Sequence, residues 1–324
     1  MLTDAFGRTV DYLRISVTDR CDLRCTYCLP KGFHGFATPK HWLTLEETAR
    51  IAQAFARLGT KRFRITGGEP LLRKGLTELT RAISETPGVE DISMTTNGTQ
   101  LTKHAHELRA SGVKRLNISL DSLRSDCVKE ITGADCLPKV LEGIRTAKDA
   151  GFDFIKINMV PLAGINDLDL DDMVAFCIEH GFILNLIEAM PMGSTGQQHA
   201  HVSLQPVLQQ LQEKHNLIAS TRKIGGGPAK YWQSQDGGFT LGLITPMSQH
   251  FCETCNRVRL SVTGNLHLCL GQEDKVPLRD LLRSGISDAE LEDVIRDAVM
   301  KKPEKHEFVE NPTKIIRVMA MTGG

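Results

Sequence analysis

A chain of 324 residues that is 41 % hydrophobic can bury a large core. Its 39 Lys and Arg balance 39 Asp and Glu, which excludes a global field drawing it to nucleic acid or to an anionic membrane. The opening MLTDAFGRTVDYLR has no apolar leader, and no run approaches the roughly 20 apolar residues of a membrane span, so a cytoplasmic monomer or homodimer is expected. Short apolar or alternating runs predict strands at 12–17, 62–66, 91–95, 115–120, 154–160 and 183–189. Between them helical spacing covers 44–58, where Thr44 and Glu47 form a capping box, and 76–85, 102–110, 138–150 and 167–180. Gly112, Gly151 and Gly181 serve as helix stops. The alternation predicts an α/β fold with a parallel sheet, and six units suit an incomplete (β/α)6 barrel better than a closed eight-unit one, with a doubly wound sheet as the alternative. After Pro191 the rhythm breaks into a polar loop with His199 and His201, a helix at 203–214 and the run Gly225-Gly226-Gly227-Pro228. Hairpin strands follow at 239–244 and 257–262, the latter ending at Gly264-Asn265, and then two helices near Leu278 and Asp288. The expected division is residues 1–220 for the barrel and 221–324 for an α+β extension.

Nine cysteines, an odd count in a chain without an export signal, favour metal ligation or plain burial over disulfides. Cys127, Cys136 and Cys177 are scattered, and Cys177 among apolar neighbours reads as a small buried hydrophobe. Cys21, Cys25 and Cys28 have the spacing CxxxCxxC on a loop after the first strand. Three thiolates without a fourth ligand hold three irons of a cubane and leave one open to a substrate; a zinc site completed by His34 or His41 is the alternative. A strand ends directly before Gly67-Gly68-Glu69-Pro70, where two glycines let backbone approach a ligand. Downstream, Cys252 and Cys255 are followed by thirteen residues and Cys269, again three ligands. Zinc with His250 or His267 is equally open there. Directly after Cys255, Arg257 and Arg259 alternate on a strand and share one face, either to grip phosphate or as a solvated surface.

CxxxCxxC, Tyr27 before its last cysteine, and GGEP occur together and in order, a combination that resembles the radical S-adenosylmethionine superfamily. The resemblance implies a 4Fe-4S cluster whose open iron chelates S-adenosylmethionine and, once reduced, cleaves it to a 5'-deoxyadenosyl radical. It implies that Tyr27, Gly68, Ser119 in Asn-Ile-Ser-Leu-Asp and Met190 in Ile-Glu-Ala-Met-Pro line the S-adenosylmethionine site. The wider set, YLRISVTDRC, RITGGEP, TTNG, CxxCNRVRL and a terminal Gly323-Gly324, resembles the GTP 3',8-cyclase family over essentially the whole chain. That implies conversion of GTP to (8S)-3',8-cyclo-7,8-dihydroguanosine 5'-triphosphate, the first step of molybdenum cofactor biosynthesis. An external electron donor would supply the reaction, and a cyclic pyranopterin monophosphate synthase would consume the product. It implies a second 4Fe-4S cluster on Cys252, Cys255 and Cys269 that meets the guanine. Arg14, Arg64, Thr95, Lys156, Arg257, Val258 and Arg259 would hold GTP, and Gly323 and Gly324 would reach into the active site. Two positions depart from the family pattern. Asn185 stands where an arginine is usual, removing one expected phosphate contact, and Leu29 replaces the common methionine after the third cysteine, a volume-conserving exchange. No GxxxxGK[ST] loop argues for ordinary GTP hydrolysis. The competing readings are a radical S-adenosylmethionine peptide maturase with an auxiliary cluster and a zinc-binding scaffold.

Overall fold

A computed structural model describes residues 1–199, 202–222 and 224–323; His201 and Gly324 lie outside the described residues. The strands are β1 (Tyr12–Ser16), β2 (Arg62–Thr66), β3 (Asp91–Thr96), β4 (Arg115–Ser119), β5 (Phe154–Met159), β6 (Ile183–Ile187), β7 (Leu217–Ser220), β8 (Lys230–Ser234), β9 (Thr240–Ile244), β10 (Arg257–Leu260), β11 (Asn265–His267) and β12 (Lys275–Pro277). Their alternation explains the sheet. Leu13 and Ile15, Phe63 and Ile65, Leu116 and Ile118, and Leu184 and Leu186 all enter one apolar core. The intervening Arg14, Arg64, Asn117 and Asn185 line a cavity on the other face, because successive strand residues point to opposite sides.

The helices cover the apolar face. Leu45–Arg57 starts from the expected capping box, with Glu47 N–H donating to Thr44 Oγ1 (3.1 Å) and Thr44 N–H to Glu47 Oε2 (2.8 Å). Leu76–Ser84, Leu101–Ala110, Leu137–Asp149 and Leu170–His180 follow the expected positions within a residue or a few, and Gly112, Gly151 and Gly181 all have positive φ. Ser125–Thr132 is a helix that sequence reading missed; it is short and closes on Gly133 in the left-handed region.

All twelve strands form one sheet in the order β12-β11-β10-β1-β2-β3-β4-β5-β6-β9-β8-β7. The downstream strands are hairpin strands as expected, but of two different hairpins. β9 and β10 do not pair with each other: β9 joins β6 in parallel at one side and β10 joins β1 in parallel at the other. Each is also half of a hairpin, β8–β9 and β10–β11. The strands on both sides of residue 220 therefore belong to one sheet, with the parallel part running from β10 through β1–β6 to β9.

Candidate active site

The first cysteine loop leaves β1 and is held by the end of β2. Gly68 N–H donates to Thr18 O and Glu69 N–H to Arg20 O, both at 2.8 Å. A Cβ on Gly67 would lie 2.5 Å from Thr18 O, and one on Gly68 2.2 Å from Arg20 O. The glycine pair thus permits contact between two stretches of this chain, whereas the sequence suggested approach to a ligand alone. Glu69 is fully buried and accepts from Thr96 Oγ1 (2.8 Å), Asn97 N–H (2.7 Å) and Leu71 N–H (3.1 Å); burial nevertheless pushes its carboxyl up to about 7. Tyr27 donates to Asp121 Oδ2 at 2.8 Å, and burial raises Asp121 to about 6.

Cys21, Cys25 and Cys28 meet Tyr27, Gly68, Ser119 and Met190 on the wall of one cavity of about 980 Å³. The expected S-adenosylmethionine residues are thus brought together. Thr66, Asn97, Asn158, Glu188 and Met319 line the same cavity and were not singled out from sequence. Burial pushes the Cys21 and Cys28 thiols up to about 12 and Cys25 well above its ordinary value. Among the described residues the wall offers three thiols and neither a fourth thiol nor an imidazole, the donor set that suits a cubane with one open iron. No group of three or more His, Cys, Asp or Glu side chains among the described residues is placed to hold a metal ion. The C-terminal segment reaches this site. Gly323 is buried at a φ of 70° where a Cβ would strike Thr66 Oγ1 at 2.0 Å.

A second cavity of about 700 Å³ adjoins the first, sharing Thr95, Asn158, Ile187 and Met190 with it. The strand register builds its charge. Arg14 on β1 is flanked by Arg64 on β2 and Arg259 on β10, so three guanidinium groups stand in a row across neighbouring strands, joined by Arg257 and Lys156. No carboxylate among the described residues lines the cavity. Among the described residues none of these five cations has an ion pair, whereas Arg62 and Arg115 nearby are paired with Asp11 and Asp91. The Nε atoms of Arg14, Arg257 and Arg259 are buried without a hydrogen-bond partner. Burial, then the repulsion of Arg64 and Arg259, lowers Arg14 well below its ordinary value. Burial followed by Arg257 brings Arg259 to about 10. Such a concentration of unpaired buried cations is costly unless an anion completes it. Val258 differs from the rest of the expected set: its side chain is fully buried in the core on the opposite face, leaving only its backbone near the cavity.

The glycine run at 225–227 closes this cavity. Lys156 Nζ donates to Ile224 O (3.0 Å) and contacts the Tyr231 hydroxyl, and a Cβ on Gly226 would lie 2.6 Å from Arg62 Cδ. Asn185 donates to Asn158 Oδ1 at 2.9 Å and lies over Gly242, so the position usually held by arginine contributes a neutral amide.

The second cysteine group flanks this cavity through its neighbours Phe251, Arg257, Arg259 and Leu270, which line it. Cys252 feels the charges of both Cys269 and Cys255. Burial pushes the Cys255 thiol up, but Lys302, Arg257, the Arg257 N–H and Arg259 outweigh it and hold it at about 7. Three cations brace the loop: Arg8 donates to Cys252 O (2.8 Å), Lys302 to Leu268 O (2.8 Å), and Arg317 to Gln272 O (2.6 Å) and Cys269 O (3.2 Å). Orphaned buried nitrogens, Arg257 Nε, Arg259 Nε, Arg317 Nε and His267 Nδ1, gather on this side. The cationic surroundings of Cys252, Cys255 and Cys269 suit an anionic iron–sulfur centre.

Comparison with known proteins agrees with this geometry. The Radical SAM superfamily model matches residues 15–177 and the Molybdenum Cofactor Synthesis C model residues 182–308. A GTP 3',8-cyclase of Ectopseudomonas mendocina is 44 % identical over 328 residues, covering 100 % of this chain and 98 % of that protein. One from Marinobacter nauticus is 45 % identical with the same coverage, and one from Paracoccus denitrificans 43 % identical over 332 residues, 100 % of this chain and 96 % of that one. Among solved structures, Streptococcus suis SuiB bound to S-adenosylmethionine superposes with a TM-score of 0.65 at 16 % identity, over 97 % of this chain and 77 % of that one. That likeness supports the fold, an α/β radical SAM fold with a mostly parallel sheet.

Proposed function

The chain belongs to the GTP 3',8-cyclase family of radical S-adenosylmethionine enzymes, and from that premise we propose how its residues divide the work. The activity is cyclisation of GTP in the first step of molybdenum cofactor biosynthesis, with S-adenosylmethionine and two 4Fe-4S clusters as cofactors. Cys21, Cys25 and Cys28 hold the first cluster, and Tyr27, Gly68, Ser119 and Met190 hold S-adenosylmethionine beside it. Cys252, Cys255 and Cys269 hold the second, in the 221–324 extension of an incomplete barrel formed by residues 1–220. When bound and reduced, these cofactors would supply radical chemistry able to take hydrogen from ribose C3' of GTP ahead of bond formation to guanine C8, with an electron from the external donor and a proton completing the ring closure.

The chain's own residues bind, orient and enclose. Arg14, Arg64, Lys156, Arg257 and Arg259 grip the triphosphate, with Thr95 at the junction of the two cavities and Val258 acting through its backbone. Met319 lines the first cavity and Gly323 packs against its Thr66, so this terminal segment helps exclude water, and the expected role of Gly324 falls outside the described residues. The product passes to a cyclic pyranopterin monophosphate synthase, an external donor supplies electrons, and the enzyme works in the cytoplasm as a monomer or homodimer. The observation that carries the assignment is the carboxylate-free cavity with five unpaired cations opening onto the three-cysteine cavity.

Arg259→Ala tests it. One lost charge-assisted contact is worth about 1.5–3 kcal/mol, so GTP binding should weaken on the order of 10- to 100-fold, while guanosine, which lacks the phosphates, should bind as before. Anaerobic calorimetry with both ligands reads the difference. Equal weakening of both would make Arg259 structural.

A further inference from the structure

Asn97, on the loop after β3, lines the first cavity, and every polar atom of its side chain and its N–H is engaged. Its Oδ1 accepts from Thr99 N–H (3.0 Å). A backbone N–H only donates, so this contact fixes which end of the amide is oxygen. The NH2 end therefore faces the cysteine loop, donating to Asp22 Oδ1 (2.7 Å) and Cys21 Sγ (3.8 Å). Asp22 is itself held by Thr99 Oγ1 (2.7 Å) and Gln100 Nε2 (3.1 Å), and Asn97 N–H is anchored on Glu69 Oε2 (2.7 Å). The network leaves the amide one orientation. Leu23 N–H also donates to Cys21 Sγ (3.4 Å), but among the described residues Asn97 is the only side-chain N–H donor to a sulfur of this loop.

We propose that Asn97 is a positioning residue that tunes the first iron–sulfur centre, its amide N–H donating to the Cys21 sulfur and raising the centre's reduction potential. The inference rests on the assignment of Cys21, Cys25 and Cys28 as ligands. A hydrogen bond to a ligand sulfur strengthens as the centre gains negative charge, so it favours the reduced state. The centre is thereby easier to charge with the electron that the reaction consumes.

The test is a reductive titration of holoenzyme carrying Asn97→Ala or Asn97→Asp, read by electron paramagnetic resonance after iron content is measured. The first centre is the one whose signal changes on adding S-adenosylmethionine, and the other centre is the internal control. At a fixed solution potential the ratio of reduced to oxidised first centre should fall on the order of tenfold in Asn97→Ala, equivalent to about 59 mV for one electron. It should fall further in Asn97→Asp, where a carboxylate oxygen faces the sulfur, with the second centre unmoved. Unshifted potentials in both variants at full iron content would overturn the proposal, and so would loss of iron from that site in both, which would make Asn97 purely structural. Cys25→Ser separates the premise: a variant retaining both centres intact would refute the ligand assignment itself.

Discussion

At the scale of single residues, the least secure charge in the cation-lined cavity, proposed to take GTP, is Lys156. Burial foremost, then Arg64 and Arg115, lowers its ammonium to about 7, with Asp91 opposing; its remaining neighbours are the Ile224 carbonyl and the Tyr231 hydroxyl. Above pH 7 the empty cavity therefore holds Lys156 mostly neutral, and a triphosphate arriving beside it favours the ammonium. GTP binding at pH 8 should take up as much as one proton, and affinity should fall as pH rises from about 7. Calorimetry in buffers of different ionisation heat counts the proton, and Lys156→Met should abolish the uptake while weakening binding at pH 7. Proton release on binding would contradict the assignment. The same shift bears on stability. The unfolded chain, with lysine near 10.4, binds the proton more readily than the native one, so the Lys156 penalty is fully present below about pH 7 and fades as pH rises towards 10. Residue identity was legible at this scale for the cysteines and arginines, whereas the depressed lysine was not, because its cause is burial beside Arg64 and Arg115.

At the scale of elements, the cysteine loop is placed by backbone contact between the end of β2 and residues 18–20. Gly68→Ala puts a Cβ 2.2 Å from a carbonyl oxygen that cannot swing aside, so the β2 end must move off the segment that delivers Cys21. Iron should be lost selectively from the first site, with the second retained, an unchanged circular dichroism spectrum and a stability cost of about 1–3 kcal/mol. Normal iron loading in Gly68→Ala would mean that the close approach is dispensable. The motif was readable from sequence, but what the glycines approach was not, since Thr18 and Arg20 lie on another strand's exit. By contrast the Thr44–Glu47 capping box was read correctly from three-residue spacing, because both partners sit within one helical turn. The helix Ser125–Thr132 escaped for the opposite reason, being too short for a periodic signal.

At the scale of the whole molecule, two cysteine groups far apart in sequence serve adjoining cavities, and their roles should separate. In Cys269→Ala the first group keeps its three thiols, so 5'-deoxyadenosine should still form slowly from S-adenosylmethionine at about half the wild-type iron content. Cyclised GTP, read by mass spectrometry, should fall about a hundredfold, the cost of misplacing a reactant by roughly 1 Å. Cyclisation at the wild-type rate in a folded Cys269→Ala lacking its second cluster would strip that cluster of any part in holding substrate. The sequence by itself determined what neighbouring residues settle: six strands by alternation, a helix by its cap, and two closely spaced cysteine groups whose part as ligands is proposed. Only the tertiary structure decided that β10 pairs with β1 and β9 with β6, which sets Arg259 beside Arg14 and Arg64, turns Val258 into the core and seats Gly323 against Thr66. The physical reason is that such pairings depend on which sheet edges the rest of the chain leaves open, and no local pattern of residues encodes that choice.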